Sequence, residues 1–177
     1  MLEARLADPF TDYLEGSNLS LSLADARVPD MKLSLVNDAF CKLTGYSRGE
    51  ALGRNCRFLQ PKGGAGPVTA RMRHFLRDKT SKEARFLIPN ETKDGRPFVN
   101  LVYMTKLYVG DRLDYVLGAQ FDATHLGPDE ASLYERSLRE DVSRLSALSG
   151  ESGHIFLGTF TVLANSAALI AQSKLSR

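Results

Sequence analysis

Three runs of alternating apolar and polar residues constrain the fold of this chain more than any other feature. They cover residues 83–90, 97–108 and 113–122, and only two short turns, containing Gly95 and Gly110, separate them. Alternation with a period of two is typical of β-strands, and short glycine-containing turns join antiparallel neighbours. The pattern therefore predicts a three-stranded antiparallel unit.

The alternation also places three amide side chains among apolar residues. Each strand carries one amide on a face shared with apolar groups or glycine: Phe86, Ile88 and Asn90; Asn100, Val102 and Met104; Val116, Gly118 and Gln120. Amides are more often found on a solvent-facing surface. If this face is instead the core side, each unpaired amide costs about 1 to 3 kcal/mol, so polar partners are required there. Both interpretations stay open on the strand pattern alone.

Two more strands are predicted ahead of this unit. Residues 19–24 form the first, and its two faces differ: Leu19, Leu21 and Leu23 on one, Ser20, Ser22 and Ala24 on the other. A turn over residues 25–30 leads to a second strand over residues 32–37. This hairpin precedes the three-stranded unit, so the pattern predicts five strands along the chain.

Helices are predicted between the hairpin and the three-stranded unit. Asp38 can cap one helix, and Ser47 with Glu50 forms a Ser-x-x-Glu capping box that starts a second helix near Arg48. A longer helix over residues 68–77 presents an apolar face formed by Val68, Met72, Phe75 and Leu76. The mixture of strands and short helices places the chain in the α+β class.

The chemistry is concentrated in residues 53–60, which read Gly-Arg-Asn-Cys-Arg-Phe-Leu-Gln. We expect this octet to form a separate short helix after Gly53. Asn55 and Gln60 can each donate and accept hydrogen bonds, which suits a heteroaromatic ring or a polyhydroxyl chain. Arg57 offers a planar set of donors that matches phosphate or carboxylate. Cys56 is either an inert buried thiol or a group that faces a ligand, and chemistry alone favours neither strongly enough to exclude the other.

The octet resembles the signature of LOV domains, the blue-light-sensing branch of the PAS fold. That signature is Gly-x-Asn-Cys-Arg-Phe-Leu-Gln, and every fixed position is matched. The resemblance extends over about residues 20–124 and includes residues 37–40 and 44–53. One departure is visible, because many relatives have Asn-Pro where this chain has Met31 and Lys32, beside the place of the flavin.

The resemblance implies a PAS/LOV fold, with a five-stranded antiparallel sheet and short helices on one face. It implies an N-terminal cap over residues 1–18, a flavin-binding domain over residues 19–124 and a C-terminal extension of two helices over residues 125–177. The expected function is blue-light sensing, without enzymatic turnover.

The resemblance also implies flavin mononucleotide (FMN) as the cofactor. The residues expected to bind it are Asn55, Arg57, Gln60, Arg73, Asn90, Asn100 and Gln120. Arg71 is a second choice for the phosphate, and two solvated arginines are the alternative. Cys56 is expected to form a reversible bond with flavin ring carbon 4a after blue light. Because ring nitrogen N5 then becomes a donor, the Gln120 amide must rotate or shift to keep its hydrogen bond.

The two flanking segments carry amphipathic patterns. Leu2, Leu6, Phe10 and Leu14 predict an N-terminal helix that covers a sheet face or, alternatively, docks a partner. A helix over residues 129–148 has a narrow apolar stripe that suits docking on the domain or a homodimer interface. A last helix over residues 154–174 has no charged residue between 155 and 173, but its polar residues favour packing against protein over membrane insertion.

Composition limits the remaining function classes. The 177 residues carry a net charge of +2, which is too balanced to argue for nucleic acid or an anionic membrane. Cys41 and Cys56, without a signal peptide, suit free thiols in the cytoplasm. No histidine has metal-ligand spacing. We expect a homodimer that responds to light, together with an unknown downstream protein. The alternatives are a PAS-type sensor or dimerisation module using another ligand or flavin redox state, and a light-gated DNA-binding protein using residues 129–177.

Overall fold

A computed structural model describes residues 8–124, together with residues 164, 165, 168 and 175. Residues 1–7 lie outside the described part. So does most of the predicted C-terminal extension, including the whole helix expected over residues 129–148. The four described residues of the extension are helical.

The described chain contains the predicted five-stranded antiparallel sheet. Its strands are β1 (Ser20–Asp25), β2 (Leu33–Val36), β3 (Glu83–Glu91), β4 (Pro97–Val109) and β5 (Arg112–Asp122). Their order across the sheet is β2-β1-β5-β4-β3, and every neighbouring pair is antiparallel. The first strand of the hairpin therefore pairs with the last strand of the three-stranded unit, which brings Ser20 opposite Gln120.

The helices are short and lie before β1 and between β2 and β3. They are α1 (Asp8–Gly16), α2 (Asp38–Thr44), α3 (Arg48–Ala51) and α4 (Val68–Arg77). The predicted capping box is confirmed, since Glu50 Oε2 accepts from the Ser47 N–H at 3.0 Å and from the Ser47 hydroxyl at 2.8 Å. The predicted bounds of α4 are confirmed as well.

The octet does not form the helix that its length suggested. Only Cys56–Leu59 is helical, as a single 3-10 turn, here called the Cys56 turn. Gly53 has a φ of 76°, and the residues on either side of the turn, Asn55 and Gln60, are extended. Because the backbone is redirected before and after these four residues, regular α-helical bonds cannot extend in either direction.

The predicted cap of α2 is also corrected. Asn37, and not Asp38, is the N-cap, because Asn37 has the extended backbone that this position requires and its Oδ1 accepts from the Phe40 N–H at 3.0 Å. Asp38 lies in the first helical turn and pairs with Arg48 at 3.0 Å.

Asn37 has a wider structural role than that of a cap. It is fully buried, its Oδ1 also accepts from the Leu21 N–H at 3.0 Å, and its Nδ2 lies within 3.1 Å of the carbonyl oxygens of Leu14, Ser17 and Leu19. One side chain therefore joins the end of α1 to β1 and to α2.

The two faces of the sheet are covered differently. The outer face is closed by α1, whose Phe10 and Leu14 are fully buried in one cluster with sheet residues, and by the helical residues Ala164 and Ala168. The N-terminal helix thus covers a sheet face, as its spacing predicted. The inner face carries α2, α3, the Cys56 turn and α4, and their apolar residues form two smaller clusters. No helix within the described residues is long and apolar enough to cross a membrane.

Candidate functional site

A cavity of about 140 Å³ lies on the inner face, between the sheet, the Cys56 turn and α4. Every predicted site residue except Arg73 lines it: Asn55, Cys56, Arg57, Gln60, Asn90, Asn100 and Gln120. The remaining lining is mainly apolar, with Ile88, Val102 and Val116 from three strands. A largely apolar cavity with a few convergent polar groups is the usual form of a site for a small molecule or cofactor.

The three strand amides point inward, which decides between the two interpretations of the alternating pattern. Asn90, Asn100 and Gln120 are each at most 5% exposed. The Asn100 Nδ2 donates to Asn90 Oδ1 at 2.9 Å, and the Asn90 Nδ2 donates to the Pro89 carbonyl oxygen at 2.9 Å.

One hydrogen-bond acceptor of the Asn90–Asn100 pair, the buried Asn100 Oδ1, has no partner within the described part of the chain. An unpaired buried acceptor costs about 1 to 3 kcal/mol. The cavity therefore offers an acceptor that a ligand with an N–H or O–H group would satisfy.

Gln120 is held by two serines of β1 that the sequence did not mark as site residues. The Ser20 hydroxyl donates to Gln120 Oε1 at 3.3 Å, and the Gln120 Nε2 donates to Ser22 Oγ at 2.7 Å. Their only sequence signal was their place opposite the leucines of β1, which did not say which face of that strand would be inner.

Gly118 provides the space for this arrangement. A Cβ at this position would lie 2.8 Å from Gln120 Nε2 and 2.9 Å from Ser22 Oγ, both well inside contact distance. Any side chain there would displace the amide from its serine partner.

Cys56 lies at the start of the turn that bears its name, and Asn55 fixes that turn by accepting from the Arg57 N–H at 3.0 Å. Burial raises the pKa of the Cys56 thiol to about 12. The thiol is therefore neutral at ordinary pH, because burial disfavours the thiolate. Both Cys41 and Cys56 are free.

The turn that contains Met31, where many relatives have Asn-Pro, makes two contacts with the octet. Asp30 and Met31 have φ values of 70° and 43°, a left-handed conformation that costs energy in residues with a side chain. The Asn55 Nδ2 donates to the Asp30 carbonyl oxygen at 2.6 Å, and the Arg57 guanidinium pairs with the Asp30 carboxylate. Met31 is thereby placed in the cavity lining.

The helix α4 contributes apolar groups to the cavity but not its arginines. Met72 and Leu76 line the cavity, whereas Arg73 is exposed and makes a long 3.4 Å contact with Thr69 Oγ1. Arg71 is half-buried and also outside the lining. A phosphate role for Arg73, with Arg71 as the second choice, stays a prediction.

Comparison with known proteins gives several close matches. The Blue-light-activated histidine kinase 1 of Erythrobacter litoralis is 36% identical over 151 residues, which cover 83% of this chain and 39% of the kinase. The Blue-light photoreceptor of Listeria monocytogenes is 33% identical over 139 residues, covering 78% of this chain and 53% of that protein. The crystal structure of the Rhodobacter sphaeroides LOV protein matches with a TM-score of 0.62 at 27% identity and covers 93% of each chain.

A PAS domain family profile matches residues 28–125, more than half of the chain, so this chain belongs to the PAS family. Within that family it is a LOV domain, of the kind found in blue-light photoreceptors. The resemblance read from the octet is thereby confirmed. The chain spans only 39% and 53% of the two curated relatives, so their further segments have no counterpart in the aligned region.

Proposed function

We propose that this LOV domain binds FMN in the inner-face cavity and senses blue light through reversible bond formation by Cys56. The observation that carries the proposal is the convergence, in one cavity, of a neutral thiol, three inward amides and the motif arginine Arg57. The three buried amides are expensive to bury without polar partners, and they match the donors and acceptors of a flavin ring.

The polar groups that line the cavity support flavin as the ligand. Asn100 Oδ1, which accepts from no group of the described residues, needs a donor, and a flavin ring presents an N–H between two carbonyl groups. Asn90 and Asn100 carry amide donors for those carbonyls, and Gln120 has one N–H and one lone pair left beyond its serine contacts. Arg57 is 61% exposed at its side chain, which leaves it accessible to a phosphate at the cavity mouth.

When bound, FMN supplies blue-light absorption and a ring carbon, C4a, that a thiol can attack reversibly. Cys56 supplies that thiol. With a flavin held by Asn90, Asn100 and Gln120, Cys56 would supply both its sulfur, to C4a, and its proton, to N5. This addition would balance without an external oxidant or reductant. A thiol that stays neutral in the dark keeps its proton available for this transfer and resists oxidation and metal binding.

Gln120 is the residue that transmits the light-driven change at the flavin to the sheet. A flavin ring nitrogen beside Gln120 would accept a hydrogen bond in the dark and donate one after light, so Gln120 would present its Nε2 first and its Oε1 afterwards. Gln120 lies on β5, between β1 and β4. Its rotation therefore affects strands whose outer face packs against α1 and the helical residues of the extension.

We include in the proposal an output by altered association, either of a homodimer or with a downstream protein. The predicted stripe over residues 129–148 supports this, since a narrow apolar stripe with charged flanks suits both intramolecular docking and a helix–helix interface. Light scattering coupled to size-exclusion chromatography, in the dark and under blue light, measures the change. An identical mass and elution volume in both conditions would reject altered self-association.

The first test is the visible absorption spectrum before and after blue light. The native protein is expected to show a structured blue band that bleaches and recovers in the dark. Cys56→Ala should bind flavin but lose the bleach, whereas Cys41→Ala, which removes the other free thiol, should bleach normally. The bleach should not change between about pH 6 and 9, because the Cys56 thiol remains neutral there.

Two outcomes would reject the proposal. A colourless protein would favour a PAS-type sensor or dimerisation module with another ligand. Bleaching that survives Cys56→Ala would instead indicate flavin redox chemistry without a thiol partner.

A further inference from the structure

The Gln120 amide is held at both of its ends by hydroxyl groups from one neighbouring strand. Ser20 and Ser22 are at most 8% exposed and occupy successive inward positions of β1, directly opposite Gln120 and Gly118 in the register of the sheet. Ser20 donates to the amide oxygen and Ser22 accepts from the amide nitrogen. Ser22 also lines the cavity.

A hydroxyl is well suited to this place because it can reverse its hydrogen bond without moving its oxygen. It has one rotatable O–H donor and two acceptor lone pairs, whereas an amide has a donor end and an acceptor end that are fixed. If the Gln120 amide turns by half a revolution, its oxygen takes the place of its nitrogen. Ser22 can then donate to Oε1, and Ser20 can accept from Nε2, with no heavy atom of β1 displaced.

We propose that Ser20 and Ser22 are positioning residues that stabilise the Gln120 amide in two alternative orientations and thereby set the lifetime of the light state. The inference rests on the proposed function, since it assumes that Gln120 faces a flavin ring nitrogen. Neither serine touches the reacting atoms. Each acts through Gln120.

The distances rank the two serines. The bond to Ser22 is 2.7 Å long and the bond to Ser20 is 3.3 Å, so Ser22 is expected to have the larger effect. Gly118 supports the arrangement, because a Cβ there would contact both Gln120 Nε2 and Ser22 Oγ. The two serine hydroxyls give the amide two discrete, hydrogen-bonded orientations and not a continuous range. A two-state switch requires such discrete orientations.

The direction of the effect follows from the orientation present in the light state. There the Gln120 oxygen accepts from the ligand N–H, and the Ser22 hydroxyl holds the oxygen in place. Removing that hydroxyl destabilises the light state, because the rotated amide loses a partner. Dark recovery of Ser22→Ala should therefore be about threefold to tenfold faster than native, the range expected for one hydrogen bond.

The test compares native protein with Ser22→Ala, Ser22→Thr and the control Ser34→Ala. Ser22→Thr keeps the hydroxyl and should recover near the native rate. Ser34 is also a strand serine, but its hydroxyl donates to the Leu23 carbonyl oxygen, so its removal should leave recovery unchanged. The second readout is the ¹⁵N–¹H signal of the Gln120 side-chain amide in the dark, assigned with Gln120→Leu, which should shift in Ser22→Ala and hardly in Ser34→Ala.

Three results would overturn the inference while leaving the proposed function intact: native recovery and an unshifted amide signal in Ser22→Ala, slower recovery in that variant, or Ser22→Thr behaving like Ser22→Ala. If Ser22→Ala does not fold, Ser20→Ala applies the same test with a smaller acceleration expected, and an unchanged rate there would reject the idea. Absence of flavin or of bleaching in the native protein would instead reject the proposed function, and the inference with it.

Discussion

The two faces of β5 differ in chemistry although they alternate along one strand. Outward, Tyr115, Leu117, Ala119 and Phe121 join an apolar cluster closed by α1 and by helical residues of the extension. Inward, Val116, Gly118 and Gln120 line a cavity. The outer face is filled by the chain's own side chains. The inner face retains space and, at Asn100 Oδ1 on the neighbouring strand, an acceptor that no described residue satisfies.

This difference separates stability from function. Burial on the outer face contributes folding free energy in proportion to apolar area. The inner face gives up part of that contribution, because a cavity lacks contacts and buried amides need partners. Substitutions outward are therefore expected to change unfolding, and substitutions inward are expected to change ligand binding.

The largest effect is expected on the outer face. Leu101 is fully buried there, and Leu101→Ala should lower the free energy of unfolding by about 2 to 5 kcal/mol, because it leaves a cavity in a packed cluster. Urea denaturation followed by circular dichroism measures the change. The adjacent residue Val102 faces the cavity on the inner face of the sheet. Val102→Ala should therefore lower the free energy of unfolding less than Leu101→Ala does, and it should weaken flavin binding more. A reversed order of the two stabilities would break the comparison.

An intermediate effect is expected at Gly118, where ligand binding and not folding should respond. Gly118→Ala should displace the Gln120 amide and weaken FMN binding by about tenfold, near 1.4 kcal/mol. Fluorescence titration of the flavin gives the affinity. Gly63→Ala is the control, because a Cβ there would meet no atom of the described segment within 4 Å and the backbone is not left-handed. Native affinity in Gly118→Ala would show that the Gln120 amide does not contribute to the site.

The smallest effect is expected at the cavity mouth, where the Asp30 carboxylate pairs with Arg57. Asp30→Asn should strengthen FMN binding by about twofold to fivefold, since exposed ion pairs are worth little and their removal frees Arg57 for the phosphate. Riboflavin, which lacks the phosphate, should bind the variant and the native protein equally. Equal changes for both flavins would mean that the Asp30 carboxylate acts on the ring and not on the phosphate.

Local chemistry was enough to predict the elements whose signals are self-contained. The alternation predicted the hairpin and the three-stranded unit, whereas their union in one five-stranded sheet was expected from the resemblance. The Ser47–Glu50 capping box and the bounds of α4 were also correct. The inward amides could be listed from the alternation, but the choice of face came from the resemblance and was then confirmed by burial.

The remaining features depend on contacts between distant segments. Asn37 and Asp38 are both good N-cap residues, and only the backbone route from β2 selects Asn37. The partnership of Ser22 with Gln120 spans nearly one hundred positions and requires β1 to pair with β5. The left-handed turn at Asp30 is held by Asn55 and Arg57, which no local pattern connects to it.

Asn37 has a consequence for how this domain could be transplanted. Its amide is satisfied by carbonyl groups of Leu14 and Ser17, and its oxygen by N–H groups of Leu21 and Phe40. A fragment beginning at the first strand would remove part of that set and uncover the outer cluster that Phe10 closes. The smallest portable unit therefore begins with the helix and not with the sheet. A protein fused ahead of that helix would be connected, through one buried amide, to the strand that bears both serines.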